Sequence, residues 1–518
     1  MHKLDIIINC WHVLILILEK FNNKVIFFYC LVFTDIFMQT IKNIVRNSGF
    51  LFLNGIATNL LSFFALVYIA RYLGPENYGT YTFVFAFIYF FSFIPDMGVH
   101  QILVREAAKE PENAGKLIGN GMIMQVCLSL AALFLAFVLI NIINFPQSTR
   151  NALYIASLGL LISGTGAYGI IYKAKLRMEY SLLFNLANRV VFLLLIYLAI
   201  SNQWGLNFLI FASISATLTH NLLMILFAKK LVKVSFEIDL PLMKQLLREA
   251  TPIAIASVFT IIYFRIDVVM LSFLRGDTEV GLYAAAYRLT DALVFLPTVI
   301  TTSTFPLMSK YYKDSFDSFS FAYTRTFKYL FATGLMIAVL VTFASGKIIY
   351  LVYASEHPEY QSSAIALQIL IWTTAIMFIT TLISTTCISS GNQQIVSKRA
   401  IIAALLNVIL NLILVPLIGY AGAAIATVLS TFVAMMFGLF WINKNLLHEN
   451  LLKESISPLI AAAVISLFII LFRSHVDILL LCFVSIPIYV AILYITGWID
   501  SIDKNLFFKL IFRPSHIK

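Results

Sequence analysis

Charge is scarce in this chain. Only 12% of its 518 residues are Asp, Glu, Lys or Arg, against about 25% in a soluble domain. Cysteine is scarcer still. Cys10, Cys30, Cys127, Cys387 and Cys482 lie in apolar stretches without C-x-x-C spacing, which speaks against a disulfide framework or a zinc site. No G-x-x-x-x-G-K-[ST] phosphate loop is present, so the chain carries no ATP motor of that kind. There is no H-E-x-x-H, no D-x-D and no nucleophile visibly partnered by a base, and the eight histidines are scattered. The residues point away from an enzyme.

What is abundant is apolar sequence, 61% of the chain. It comes in blocks of about 20 residues, the length a helix needs to cross roughly 30 Å of hydrocarbon. The blocks do not alternate apolar with polar residues, which excludes the strands of a membrane barrel. Backbone polar groups have no water partner in lipid, so the blocks are predicted to be helices. Fourteen spans are expected: 49–69, 80–99, 117–140, 152–171, 181–200, 206–228, 251–273, 282–305, 329–345, 364–388, 400–416, 421–441, 457–472 and 478–497.

The formal charge of +11 resembles a nucleic-acid signal, but its distribution gives it another meaning. With Lys42 and Arg46 placed in the cytoplasm, 28 of the 36 Lys and Arg fall in cytoplasmic loops and tails and five in outside loops. That bias is the positive-inside rule at work, and it predicts both termini inside and no nucleic-acid partner. Segment 25–37 is apolar but too short to span, and Asp35 interrupts it. Residues 1–37 are therefore read as an N-terminal extension outside the fold.

The chain repeats itself. Gly74, Gly79, Tyr81, Phe93 and Pro95 recur 202 residues later as Gly276, Gly281, Tyr283, Phe295 and Pro297. Two copies of an even-numbered helical unit are predicted to be parallel lobes with a site between them, as in secondary transporters. The expected organisation is an all-α integral membrane protein: a six-helix lobe over 38–230, a second over 231–442, and helices 13 and 14 with a cytoplasmic tail over 443–518. Pro95 and Pro297 should bend the second and eighth helices and are candidate hinges.

Ionisable residues inside spans are the strongest functional signal. Arg265, Asp267, Arg288 and Asp291 lie deep in the seventh and eighth spans. At about 1.5 Å per residue, Arg265 and Asp291 sit roughly 12–13 Å from the outer helix ends, and Asp267 and Arg288 roughly 9 Å. Cross-helix pairs Arg265–Asp291 and Asp267–Arg288 are expected from these depths. Unpaired, each charge would cost about 2.5–3.5 kcal/mol. The set reads either as a ligand and coupling site or as a structural clasp. The repeat favours the first, because the equivalent positions in the first copy are Phe63, Ala65, Ala86 and Tyr89. Arg189, midway along the fifth span, is too deep to snorkel easily and joins the candidates.

Asn407 and Asn411 share one face of the eleventh helix and either line a polar cavity or bond to a neighbouring helix. Gly422 with Ala426, and Ala423 with Thr427, have the spacing of a packing surface. Basic clusters precede the fifth and eleventh spans: Lys173, Lys175 and Arg177, then Lys398 and Arg399. They are read as orientation signals or as a cytoplasmic collar that captures an anionic head group.

These residues are similar to a known family. Arg71-Tyr72-Leu73-Gly74-Pro75-Glu76-Asn77-Tyr78-Gly79, Asp96-Met97-Gly98 and Val104-Arg105-Glu106-Ala107-Ala108 resemble the first half of O-antigen (Wzx-type) polysaccharide-export flippases. These belong to the multidrug/oligosaccharidyl-lipid/polysaccharide exporter superfamily. Arg265-Ile266-Asp267, the run from Gly281 to Leu289, and Asn407-x-x-x-Asn411-x-x-x-x-Pro416-x-x-Gly419-Tyr420 resemble the second half. The likeness covers residues 38–442.

The resemblance implies a cytoplasmic-membrane flippase. Its cargo would be a polyprenyl-diphosphate-linked oligosaccharide for O-antigen or other polysaccharide, moved by alternating access among membrane lipids. No cofactor is implied; Na+ or H+ would be the coupling ion, and a glycan polymerase and export machinery would be downstream partners. Arg265 and Arg288 become candidate diphosphate contacts, and Asp267 and Asp291 candidates for holding them or relaying the ion. The alternatives are a cation-coupled multidrug antiporter, whose cavity should be acidic, and a lipid II flippase. A membrane glycan polymerase or ligase would need a large outside loop, and none is present.

Overall fold

Gly74 and Gly276, the first glycines of the two repeats, adopt the same unusual backbone conformation: φ 70°, ψ 173° and φ 92°, ψ 171°. Positive φ is strained for any residue with a β carbon, which explains a glycine at both places. These coordinates come from a computed structural model that describes residues 24–110, 113–174, 177–232, 234–501 and 503. Among the described residues the regular elements are all helical.

Gly74 breaks the first long helix, α1 (Lys24–Ser92), into two arms, and Gly276 separates α8 (Leu240–Arg275) from α9 (Asp277–Leu293). The repeated prolines act alike. Residues 93–98, around Pro95, form turns between α1 and α2 (Val99–Lys109), and α9 gives way at Val294 to α10 (Phe295–Asp314), just before Pro297. Proline removes one backbone donor and crowds the carbonyl four residues back, so both bends follow from the ring. The remaining first-half helices are α3 (Ala114–Ile142), α4 (Gln147–Ser163), α5 (Gly169–Ala174), α6 (Met178–Ser201) and α7 (Gly205–Ala228). The second half adds α11 (Phe316–Ile349), α12 (Ser363–Ser389) and α13 (Gln393–Asn445), followed by α14 (Leu451–Phe472) and α15 (Ile478–Ile495).

Eleven helices among the described residues are long and apolar enough to cross a membrane, or twelve with the bent α4–α5 pair as one span. The expected fourteen is reached only by counting each arm of α1 and of α13 separately. α13 is broken at Ile418 and Gly419, shortly after Pro416. Of the expected extension, residues 1–23 lie outside the described residues, and the remainder is helical and continuous with α1. Large apolar side chains point outward in number: Phe134, Tyr197, Leu417 and Phe483 are 66–73% exposed. Water would penalise such a surface, whereas lipid solvates it.

The core is joined at one end and divided at the other. At the end carrying Gly74 and Gly276, one cluster runs through both halves and includes Ala65, Tyr81, Leu271, Tyr283, Tyr353 and Val415. Arg71 there donates to the carbonyls of Val352, at 2.6 Å, and Leu351, at 2.8 Å, and Tyr360 donates to that of Ala70. At the opposite end, where the basic loops lie, one cluster holds α2, α3, α5, α6 and α7 with the first turns of α8, and a separate one holds α10 to α13. The C-terminal pair α14–α15 packs on α11 through Ala332, Ile465 and Tyr489, and Arg325 and Lys328 hold Asp503 at 2.8 and 2.7 Å.

Candidate substrate cavity

A cavity of about 430 Å³ lies where α1, α6, α8 and α9 converge. α6 contributes Arg189, α8 contributes Arg265 and Asp267, and α9 contributes Arg288 and Asp291. Five of the sequence-predicted residues, from three helices, thus face one space. A second space of about 400 Å³ shares Arg288 and Asp291 with it and extends between α1 and α10, past Asn59 and Thr298.

The charges are not paired as their depths suggested. Arg288 is bound to Asp291 one turn away on its own helix, at 3.3 Å. Arg265 instead lies over the ring of Tyr89, with 5.3 Å from guanidinium carbon to ring centre. The ring holds the guanidinium by its quadrupole and brings no opposite charge, and Arg265 lines the cavity. Asp267 is 3% exposed; it accepts a short hydrogen bond from the Tyr283 hydroxyl and a backbone N–H from Val268 at 2.8 Å. The expected pairs Arg265–Asp291 and Asp267–Arg288 are therefore replaced by an intrahelical pair, a cation–π contact and a tyrosine–carboxylate bond. Helix depth fixes level but not azimuth, and these partners differ from the expected ones in azimuth. Among the described residues the Arg288 Nε is buried without a hydrogen-bond partner, on a residue that lines the cavity.

Tyrosines complete the wall, and charge-based reasoning passed over them. Tyr78, Tyr81 and Tyr89 from α1 and Tyr283 and Tyr287 from α9 all line the cavity. One signal was visible in advance: Tyr81 and Tyr283 are repeat equivalents, each two residues after a repeated glycine.

Asn407 and Asn411 do not reach the cavity. Both are fully buried between the two arms of α13. Asn411 Nδ2 donates to the Asn407 carbonyl at 2.8 Å and to Asn407 Oδ1 at 3.0 Å, and Asn407 reaches Thr427 and Ser430. They hold helices together, as polar residues do where small neighbours such as Gly422, Ala423 and Ala426 allow close approach. Thr427 also meets the Tyr283 hydroxyl at 3.3 Å, so a polar chain links Asp267 to this buried cluster. Asn411 Oδ1 ends that chain with no partner among the described residues.

The basic collar separates into unlike parts. Arg399 is 7% exposed and donates to the carbonyls of Ala434, at 3.2 Å, and Thr380, at 3.4 Å, and to the Ser384 hydroxyl. It ties α12 to both arms of α13 and is unavailable to a head group at the surface. Lys398 and Arg177 are exposed, the latter pairing with Glu179 at 3.3 Å. Lys173 is exposed and lies 2.9 Å from the His100 ring. Lys175 lies outside the described residues. Pro95 and Pro297 are buried at the two equivalent bends described above.

Residues 44–312 match the family described as polysaccharide biosynthesis protein, and residues 252–413 match a second, MatE. A probable low-salt glycan biosynthesis flippase of Haloferax volcanii is 21% identical over 431 residues, 80% of this chain and 84% of that one. An uncharacterized membrane protein of Methanocaldococcus jannaschii is 27% identical over 236 residues, and the match spans 46% of its length. Among solved structures, a lipid II flippase in an inward closed conformation superposes with a TM-score of 0.71 at 18% identity, covering 88% of this chain and 99% of that one. At that identity the likeness shows the fold. With over half its length matched, the chain is a member of the polysaccharide biosynthesis protein family of multi-pass membrane proteins.

Proposed function

We propose that this protein flips a polyprenyl-diphosphate-linked oligosaccharide from the cytoplasmic to the outer leaflet by alternating access. One observation carries the reading: Arg189, Arg265 and Arg288, from three different helices, line a single cavity at membrane depth. A diphosphate bearing many hydroxyls cannot cross hydrocarbon unaided, because each charge and each unpaired hydroxyl costs kilocalories. Guanidinium groups replace the lost hydration and match phosphate oxygens geometrically. The excess of three arginines over two aspartates suits an anionic head group better than the cationic drug of an antiporter.

The parts then take roles. Lobes 38–230 and 231–442 rock against each other, with bends at Pro95 and Pro297 as hinges, and helices 13 and 14 of segment 443–518 stay packed on the second lobe. The joined end is outside and the divided end, with both termini, is in the cytoplasm, following the lysine and arginine bias. Lys173, Arg177 and Lys398 attract the anionic head group at that face. Asp267, the most buried of the cavity charges, is the candidate for the coupling H+ or Na+, and movement of its Tyr283 bond relays occupancy to α13. The name of the Haloferax volcanii glycan biosynthesis flippase supports a glycan cargo.

The test is complementation. In a host lacking the chain, lipid-linked oligosaccharide should accumulate on the cytoplasmic leaflet. The wild-type chain should clear it, and Arg265→Ala, inserted at equal abundance, should not. Normal export by Arg265→Ala would overturn the reading.

A further inference from the structure

The first half contains a further polar space, which the flipping reading touches only through Lys173 at its wall. It measures about 380 Å³, lies among α3 to α7 and the start of α2, and shares no residue with the central cavity. Asp96, His100, Gln125, Asn185, His220 and Asn221 supply its polar wall, and Phe184 an aromatic one.

A helix break lies at the wall of this space, which Ser163, Gly166 and Gly169 line. α4 ends at Ser163, and the helix resumes at Gly166 bent by 40°. Irregular backbone at membrane depth is tolerated where it is buried in protein or lines a cavity, and interrupted spans mark binding sites in transporters. α12, the tenth span in the second half, runs unbroken over Ser363–Ser389, so the interruption is no requirement of the fold. Asn221 caps the broken end by donating to the Ile162 carbonyl at 2.9 Å. Gln125 is the second sign. It lines this space at 2% exposure, and its Oε1, buried beside Gly166, has no hydrogen-bond partner among the described residues. A buried amide oxygen without a donor is costly unless something else supplies one.

The chemistry of the wall selects the ligand. No arginine lines it, and one ammonium, Lys173, is balanced by one carboxylate, Asp96. Lys173 is bound to the His100 ring at 2.9 Å, and Asp96 accepts the His100 backbone N–H at 3.1 Å. A phosphate would find one cation and a repelling carboxylate. Among the described residues no group of three His, Cys, Asp or Glu is placed to hold a metal. Amides, a carboxylate and imidazoles offer donors and acceptors together, which is what vicinal sugar hydroxyls require.

We propose that this space binds a neutral pyranose of the cargo oligosaccharide and so reads the glycan, while the arginine cavity holds its diphosphate. The inference rests on the flipping reading. The geometry suits a single extended ligand: Asn185 precedes Arg189 by one turn on α6, about 6 Å along the axis toward the basic end.

The test uses the full chain in lipid nanodiscs with glucose, galactose, mannose and N-acetylglucosamine as separate probes in saturation-transfer NMR. At least one should receive saturation. Asn185→Leu and Gln125→Leu should each lower the transfer at least about threefold, as for one lost hydrogen bond. Ser181→Trp, which fills the space from its rim, serves if a core variant fails to fold. Inorganic phosphate should not displace the sugar, and Arg265→Ala should leave the transfer intact. No transfer from any of the four sugars, undiminished transfer in folded Asn185→Leu and Ser181→Trp, or displacement by phosphate would overturn the proposal. Failure here with export still blocked by Arg265→Ala would remove the sugar pocket alone; export by Arg265→Ala would remove the flipping reading.

Discussion

Gly79 and Gly281, repeat equivalents 202 residues apart, face each other across the contact between α1 and α9. A β carbon on Gly79 would lie 1.7 Å from the Asp277 carbonyl oxygen, and one on Gly281 would lie 1.8 Å from that of Pro75. Pro75 and Asp277 are themselves repeat equivalents, so the contact is reciprocal, as an axis relating the two copies requires. Around it, Thr80 donates to Asp277 at 2.8 Å, and Tyr420 donates its N–H to Glu279 at 2.8 Å.

This contact should not survive a side chain. Gly79→Ala and Gly281→Ala would each force the backbones apart, at a cost of about 1–3 kcal/mol to the joined arrangement. Spin labels at positions 72 and 356, on opposite halves of the joined end, should then report a longer and broader distance distribution. An unchanged distribution in either variant would show that the approach of α1 to α9 does not hold this end together.

Arg265 depends on charge, and Tyr89 on its ring. Export should fall roughly tenfold or more in Arg265→Ala, the size of one lost charge-assisted contact. Arg265→Lys should recover part of it, since a lysine keeps the charge but not the fork. Tyr89→Phe should export normally because the face of the ring remains. Measured rates of lipid-linked glycan clearance decide this, and a Tyr89→Phe as weak as Arg265→Ala would point to the hydroxyl instead.

Asn407 and Asn411 should matter for stability before they matter for substrate. Asn407→Leu removes one acceptor of the Asn411 amide and the amide donor to Thr427 and Ser430, and should lower stability by about 1–3 kcal/mol. A fall in the detergent-phase melting temperature, with cargo binding retained in the folded fraction, is the expected result. Unchanged melting with lost binding would return these residues to the ligand site.

The C-terminal clasp should open in acid. Partial burial pushes the Asp500 carboxyl up, but the Arg325 guanidinium and the Asp503 N–H outweigh this and bring it down to about 2 from 3.8. A carboxylate depressed in the folded state stabilises above its unfolded value and loses that contribution as pH falls toward the folded one. The bond between the tail and α11 should therefore weaken between about pH 4 and pH 2. Hydrogen exchange at residues 496–501 should rise over that window and not near neutrality; Arg325→Gln should exchange fast at all pH values.

Much was legible in the sequence because it concerned the chain one helix at a time. Block length, the absence of charge and the bias of Lys and Arg depend only on solvent, so they marked the spans. Gly74 with Gly276 and Pro95 with Pro297 act through their own backbones, so their turns and bends fell where the repeat placed them. A charge at membrane depth needs a wet or polar neighbour, and that need alone put Arg189, Arg265 and Arg288 at a cavity. Which neighbour each charge took was decided by helix rotation and packing, quantities that no spacing encodes. Only in the folded molecule does Arg265 turn to Tyr89, Asp267 to Tyr283, and Arg399 inward to the Ala434 carbonyl. The same holds for the pocket lined by Gln125, whose walls come from six segments brought together only by the fold.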